Sequence, residues 1–132
     1  MVDDFFVSRP LQETALELVS SPAWPRHVAN LARALTARRA ALAQALRQYI
    51  PQITIPVLPR GGACLWVRLP GRLADDQLAS RAGRHGTVIS PGRNFYPAEL
   101  PGSFARLSFA AAARPEDLYE GVRRLAVALP AA

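Results

Sequence analysis

The sequence contains no lysine. All 16 of its basic residues are arginine, against 10 acidic ones, for a net charge of +6. Without a side-chain amine no residue can form a Schiff base, so chemistry that starts from a lysine imine is closed to this chain acting alone. Cysteine is nearly absent too. The single Cys64 excludes an internal disulfide and fits a reducing cytosol. Its apolar neighbours Ala63 and Leu65 favour a buried structural thiol over a nucleophile. No run of about 18 apolar residues occurs, so no membrane span is expected. The opening Met1-Val2-Asp3-Asp4 is acidic and lacks the basic start of a secretory signal. A cytoplasmic location is the expectation.

Site motifs are equally sparse. One cysteine and two distant histidines, His27 and His85, cannot fill a zinc site, so no metal is expected. Beside Gly86, His85 reads as a helix-end residue, where a cation suits the dipole. Gly61-Gly62 and Pro91-Gly92 lack the context of a phosphate loop. Ser90-Pro91-Gly92 is not the G-x-S-x-G elbow of a hydrolase nucleophile. The chain carries no complete catalytic constellation of its own, and no cofactor-binding residue is expected in it.

What is present is an arginine-rich, half-hydrophobic chain of 132 residues, long enough for one compact domain with a real core. The positive charge invites a nucleic-acid reading. Against it, only Arg38-Arg39 and Arg123-Arg124 are adjacent, and no run of three exists. A free-standing α+β binding module, for nucleic acid or another partner, remains one reading, and it predicts affinity that falls steeply with salt.

Periodicity lays out the elements. Ser8 is placed to cap a first helix with Pro10 in its opening turn and Leu11, Ala15 and Leu18 on one side, ended by Ser20-Ser21-Pro22. A longer helix starts between Pro22 and Pro25 and runs to about Tyr49. Val28, Leu31, Leu35, Leu42 and Tyr49 recur along it, with Leu46 beside them. At 1.5 Å per residue it is about 37 Å long. Ile53-Thr54-Ile55 reads as a short strand between Pro51 and Pro56, forming a wide hairpin with Ala63–Leu69. Asp75-Asp76 opens a short helix with Leu78, Ala79 and Ala82 inward, and Gly83 and Gly86 bracket its end. Thr87–Ser90 reads as a brief strand, and residues 91–97 as a turn-rich loop exposing Phe95 and Tyr96. Residues 104–109 form a further strand. A last helix starts at Pro115-Glu116-Asp117 and carries Leu118, Val122, Leu125 and Leu129. The expected fold class is α+β: a small, mainly antiparallel sheet with helices packed on one face.

The strand at 104–109 poses one question. Alternation puts Phe104, Arg106 and Ser108 on one face and Ala105, Leu107 and Phe109 on the other. A guanidinium in so apolar a strand is costly unless an anion pairs with it. That anion is an internal Asp or Glu, or an external ligand, unless Arg106 is simply exposed at a sheet edge.

An ordered series of short motifs bears on the answer. It runs Pro59-Arg60-Gly61-Gly62, Leu65-Trp66-Val67-Arg68-Leu69-Pro70, Pro91-Gly92-Arg93-Asn94-Phe95-Tyr96, Arg106-Leu107-Ser108-Phe109-Ala110 and Glu120-Gly121-Val122-Arg123-Arg124-Leu125-Ala126. Gln12–Leu16 and Arg38–Leu42 fit the preceding helices. The series resembles the C-terminal small domain of fold-type I aminotransferases that use pyridoxal 5'-phosphate, and most of all the aminotransferase-like part of MocR-type regulators of the GntR family. The likeness covers nearly the whole chain.

The resemblance implies that Arg106 binds the α-carboxylate of an amino-acid-like ligand, with Gly62 and Phe95 toward the same cleft. A plain turn at Gly62 and a packing aromatic at Phe95 fit equally well. It divides the chain into a linking helix segment, 1–22, and the small domain, 23–132. It also implies a fragment. The large domain with its Schiff-base lysine, its phosphate-binding residues and most of its dimer surface is missing, as is an N-terminal winged-helix DNA-binding domain. The intact parent is then expected to hold pyridoxal 5'-phosphate, to be a homodimer, to touch DNA only through that absent domain, and to be a regulator or a metabolic aminotransferase. The chain alone is expected to be inert.

Overall fold

A computed structural model describes residues 8–71, 73–98 and 101–130. They form two compact units, one running through Arg33 and the other starting at Ala34.

The first unit holds α1 (Arg9–Ser20) and the N-terminal part of α2 (Ala23–Tyr49). Pro10 lies in the first turn of α1, where its missing N–H has no partner to lose. Ser8 occupies the N-cap, but its carbonyl rather than its hydroxyl accepts the first helical bonds, from Leu11 and Gln12. No residue of α1 is buried, and Leu11 and Leu18 are exposed. In α2, Val28 and Leu31 are exposed as well.

The second unit contains the core. Leu42 and Leu46 of α2 are buried, with Leu35 and Tyr49 packed at the margin. The strands are β1 (Cys64–Arg68), β2 (Ser90–Pro91) and β3 (Phe104–Ser108), and the helices are α3 (Asp75–Arg84) and α4 (Pro115–Ala128). The sheet is antiparallel with order β1-β3-β2. Leu65 and Val67 of β1 stand opposite Leu107 and Ala105 of β3, and all four are buried. Leu78 and Ala82 of α3 and Leu118, Val122 and Leu125 of α4 complete that core. Period-2 burial on the strands and 3.6-period burial on the helices thus meet on one side of the sheet. The α+β class with helices on one face of a small antiparallel sheet is what the chain adopts.

Three local expectations are corrected. Ile53–Ile55 is no strand: Thr54 alone forms an antiparallel bridge to Arg68, with N···O distances of 2.9 and 3.1 Å. Pro51 and Pro56 leave too little chain between them for a ladder, and the full partner of β1 is β3 instead. Thr87–Ile89 is irregular and the strand begins only at Ser90. The Thr87 N–H and hydroxyl donate to the carbonyls of Ala82 and Gly121, and Val88 is 92% exposed, so the segment serves the helices and not the sheet. Cys64 is half-buried rather than buried, since its place in the pleat is on the same side as Trp66. Residues 1–7, Arg72, Glu99 and Leu100 lie outside the described residues.

Candidate functional site

The face of the sheet away from the helices carries the candidate site. Cys64, Trp66 and Arg68 of β1 stand opposite Ser108, Arg106 and Phe104 of β3. In the middle of β3, Arg106 is therefore flanked by Trp66 on one side and by Ser90 of β2 on the other. It does not lie at an edge.

Arg106 is exposed. Among the described residues no carboxylate lies within ion-pair distance of it; its contact is with Phe95, whose ring centroid is 4.9 Å from the guanidinium carbon. Such a cation–π contact contributes about 0.5–1 kcal/mol at exposed sites. A guanidinium over a ring face keeps its in-plane N–H donors available, and those donors match a carboxylate in a two-bond fork.

Around this pair the aromatic side chains interlock. The Trp66 ring stacks on Phe104 at 5.5 Å and meets Phe95 edge-on at 5.9 Å, with Tyr96 at 6.0 Å. Arg68 lies over the aromatic of β3, Phe104, at 5.3 Å. Phe104 is only 5% exposed although it points away from the helix side, because this aromatic layer covers it.

The turn that delivers Phe95 is a single 3₁₀ stretch, Gly92–Phe95, directly after β2. Gly92 lies so close to β3 that a Cβ there would sit 2.7 Å from the carbonyl oxygen of Phe104. Next to it, Arg93 reaches α3. Its Nε donates to Asp75 Oδ1 at 2.8 Å, its backbone N–H to Asp75 Oδ2 at 2.8 Å, and Nη1 to Asp76 Oδ2 at 2.9 Å. Asp75 is 2% exposed, the one buried charged side chain among the described residues. Burial by itself pushes this carboxyl up, but the bonds and charge of Arg93, with the Asp76 N–H, outweigh it and hold the group below the usual carboxylate range. The same bonds push the Arg93 guanidinium up.

Gly62 sits in the loop ahead of β1. Its φ of +88° favours glycine, while a Cβ there would meet nothing within 4 Å, so the requirement is conformational and not steric. The loop is held from α2, where Arg39 Nη1 donates to the Pro59 carbonyl at 2.6 Å. Among the described residues no contact joins Gly62 to Arg106. The structure thus brings Phe95 and Arg106 together and leaves Gly62 as a neighbour along the sheet.

Sequence reasoning missed the Asp75–Arg93 pair. It read Asp75-Asp76 as a helix start, which they also are. The available signal was an acid pair at a helix N-terminus with an arginine inside a Pro-Gly turn. A separate concavity of about 250 Å³ opens beside α4, lined by Leu42, Ile89, Leu107, Leu118 and Val122, with Asp117 its single ionisable residue. No basic side chain lines it. Among the described residues there is no group of three or more potential metal ligands, and no helix is long and apolar enough to cross a membrane.

Comparison with known proteins gives two kinds of relative. The chain is 28% identical over 125 residues to the uncharacterized HTH-type transcriptional regulator YdfD of Bacillus subtilis, covering 95% of this chain and 25% of that protein. It is 35% identical over 89 residues to the 2-aminoadipate transaminase of Thermus thermophilus, covering 67% of this chain and 22% of the relative. Among solved structures, LysN, the alpha-aminoadipate aminotransferase of Thermus thermophilus complexed with N-(5'-phosphopyridoxyl)-L-leucine, superimposes with a TM-score of 0.79. That match has 27% identity and covers 89% of this chain and 30% of LysN. No family model matches. The chain spans about a quarter of the length of these curated relatives.

Proposed function

We propose that this chain, which belongs to the fold-type I aminotransferase family shared by MocR-type regulators, acts as the C-terminal small domain of such a regulator. In the intact protein it closes over pyridoxal 5'-phosphate and holds an amino-acid-like ligand through Arg106. The observation that carries the reading is Arg106 itself: an exposed guanidinium at the centre of the sheet, resting on Phe95, with no carboxylate of the described residues in reach.

The cofactor does not fit this chain alone. It has no lysine, and neither Gly61-Gly62 nor Pro91-Gly92 forms a phosphate cradle. The groups that hold the cofactor belong, on this reading, to a large domain of the same polypeptide, and DNA contact to a further N-terminal domain. The chain alone is inert, and the intact protein is a cytoplasmic homodimer.

The test is made on the intact protein. R106Q should weaken amino-acid binding about tenfold or more, since a charge-assisted pair contributes about 1.5–3 kcal/mol. R106K should recover only part, because an ammonium lacks the planar fork. Equal affinity in R106Q would sink the proposal.

A second reading is a metabolic aminotransferase, favoured by the match to the 2-aminoadipate transaminase. Sustained amino-group transfer to a 2-oxo acid by the intact protein would select it; ligand-dependent DNA binding without turnover would select the regulator.

A further inference from the structure

The Arg93 side chain makes three bonds or ion pairs to α3 and none to the sheet, although its turn covers the sheet. Backbone and side chain together close a bidentate grip on Asp75, whose carboxylate is almost wholly buried. A buried carboxylate with three bonds from one residue is a fixed point, because moving Arg93 leaves that charge uncompensated. Two residues later comes Phe95, whose ring lies under Arg106. Between the turn and β3 there is no room for a side chain either, since a Cβ on Gly92 would sit 2.7 Å from the Phe104 carbonyl oxygen.

We infer that Arg93 is a positioning residue for Arg106. Clamped to Asp75 and Asp76, it fixes the Gly92–Phe95 turn so that the Phe95 ring holds the Arg106 guanidinium in one orientation. Its bearing on ligand binding rests on the carboxylate role proposed above. The physical gain is preorganisation. A free arginine side chain loses on binding the rotamer freedom of its long stem. One already laid on a ring has less to lose. Phe95 is itself 47% exposed and meets Trp66 only edge-on, so the packing around its ring leaves a share of its placement to the Arg93 clamp. Asp76 contributes the outer, half-exposed arm of the clamp and Asp75 the inner one.

The inference is tested on the ¹⁵N-labelled 132-residue chain by the Arg106 Nε–H resonance. In the unsubstituted chain the Phe95 ring current should displace it upfield of its position in F95L. R93Q should move it most of the way to the F95L position, while the Leu65 and Val67 amides stay in place and report an intact core. R93K keeps the charge but not the two-donor grip, and should fall between; it serves if R93Q does not fold. An Arg106 resonance unchanged in a folded R93Q or R93K overturns the inference. Acetate is then titrated against the same resonance. R93Q should bind it at least threefold more weakly, and equal affinity removes any effect on ligand binding. Absence of an acetate response in the unsubstituted chain counts against the carboxylate role of Arg106, whereas the ring-current shift still decides whether Arg93 positions it.

Discussion

Arg93 and Asp75 are joined through both the main chain and the side chain of the arginine, at 2.8 Å in each case. Eighteen residues separate them in sequence, and the contact ties a turn on one sheet edge to the first turn of α3. Because Asp75 is held below its ordinary pKa, its ionised form stabilises the fold. The sign is that of a depressed carboxylate: the contribution is complete above the unfolded value near 3.9 and is lost as pH falls through the folded one. Asp117, lowered by the Arg114 side chain and N–H, acts in the same direction. Denaturant unfolding between pH 5 and pH 2 should show stability falling, and D75N should flatten that fall while lowering stability at pH 7. A D75N profile as steep as that of the unsubstituted chain would contradict it.

Gly92→Ala should destabilise by about 1–3 kcal/mol, since the added methyl meets backbone and not a flexible side-chain end. Gly61→Ala is the control: a Cβ there meets nothing within 4 Å and φ is ordinary, so its midpoint should move by less than about 0.5 kcal/mol. Urea melts of the two variants check the contrast.

Leu46→Ala and Leu65→Ala should each cost about 2–5 kcal/mol, because both side chains are fully buried in the one core. Leu11→Ala, in a helix without a buried residue, should change the stability of this chain little. Thermal unfolding followed by circular dichroism separates the three.

Treatment with pyridoxal 5'-phosphate and borohydride should leave every side chain unmodified, because the chain has no lysine. Mass spectrometry of the peptides should find a reduced adduct on the α-amino group alone. An adduct on any internal peptide would contradict the expectation.

Helix bounds and core faces were legible in the sequence because each rests on local signals. Leu118, Val122 and Leu125 recur at helical spacing, and all three are buried. The α2 stripe was read correctly as one helix, yet the same periodicity gave no notice that Val28 is exposed while Leu42 is buried; burial depends on what lies opposite. Short strands were misjudged for a related reason. Val88 and Ile89 have strand-forming side chains, but the ladder needs a partner, and β3 meets only Ser90 and Pro91. At the site, alternation placed Arg106 on the Phe104–Ser108 face, and the structure adds that this face is the open one. Nothing local says which of 16 arginines answers a buried aspartate, so the Asp75–Arg93 pair had no signature strong enough to name.

The close fit of Gly92 against Phe104 has a mechanical consequence. With the turn pressed on β3 at one end and bolted to α3 by Arg93, neither can slide without the other. Strand, turn and helix then travel as a single rigid piece. Any displacement of the whole piece would carry Arg106 and the ring beneath it together, without altering the angle between them.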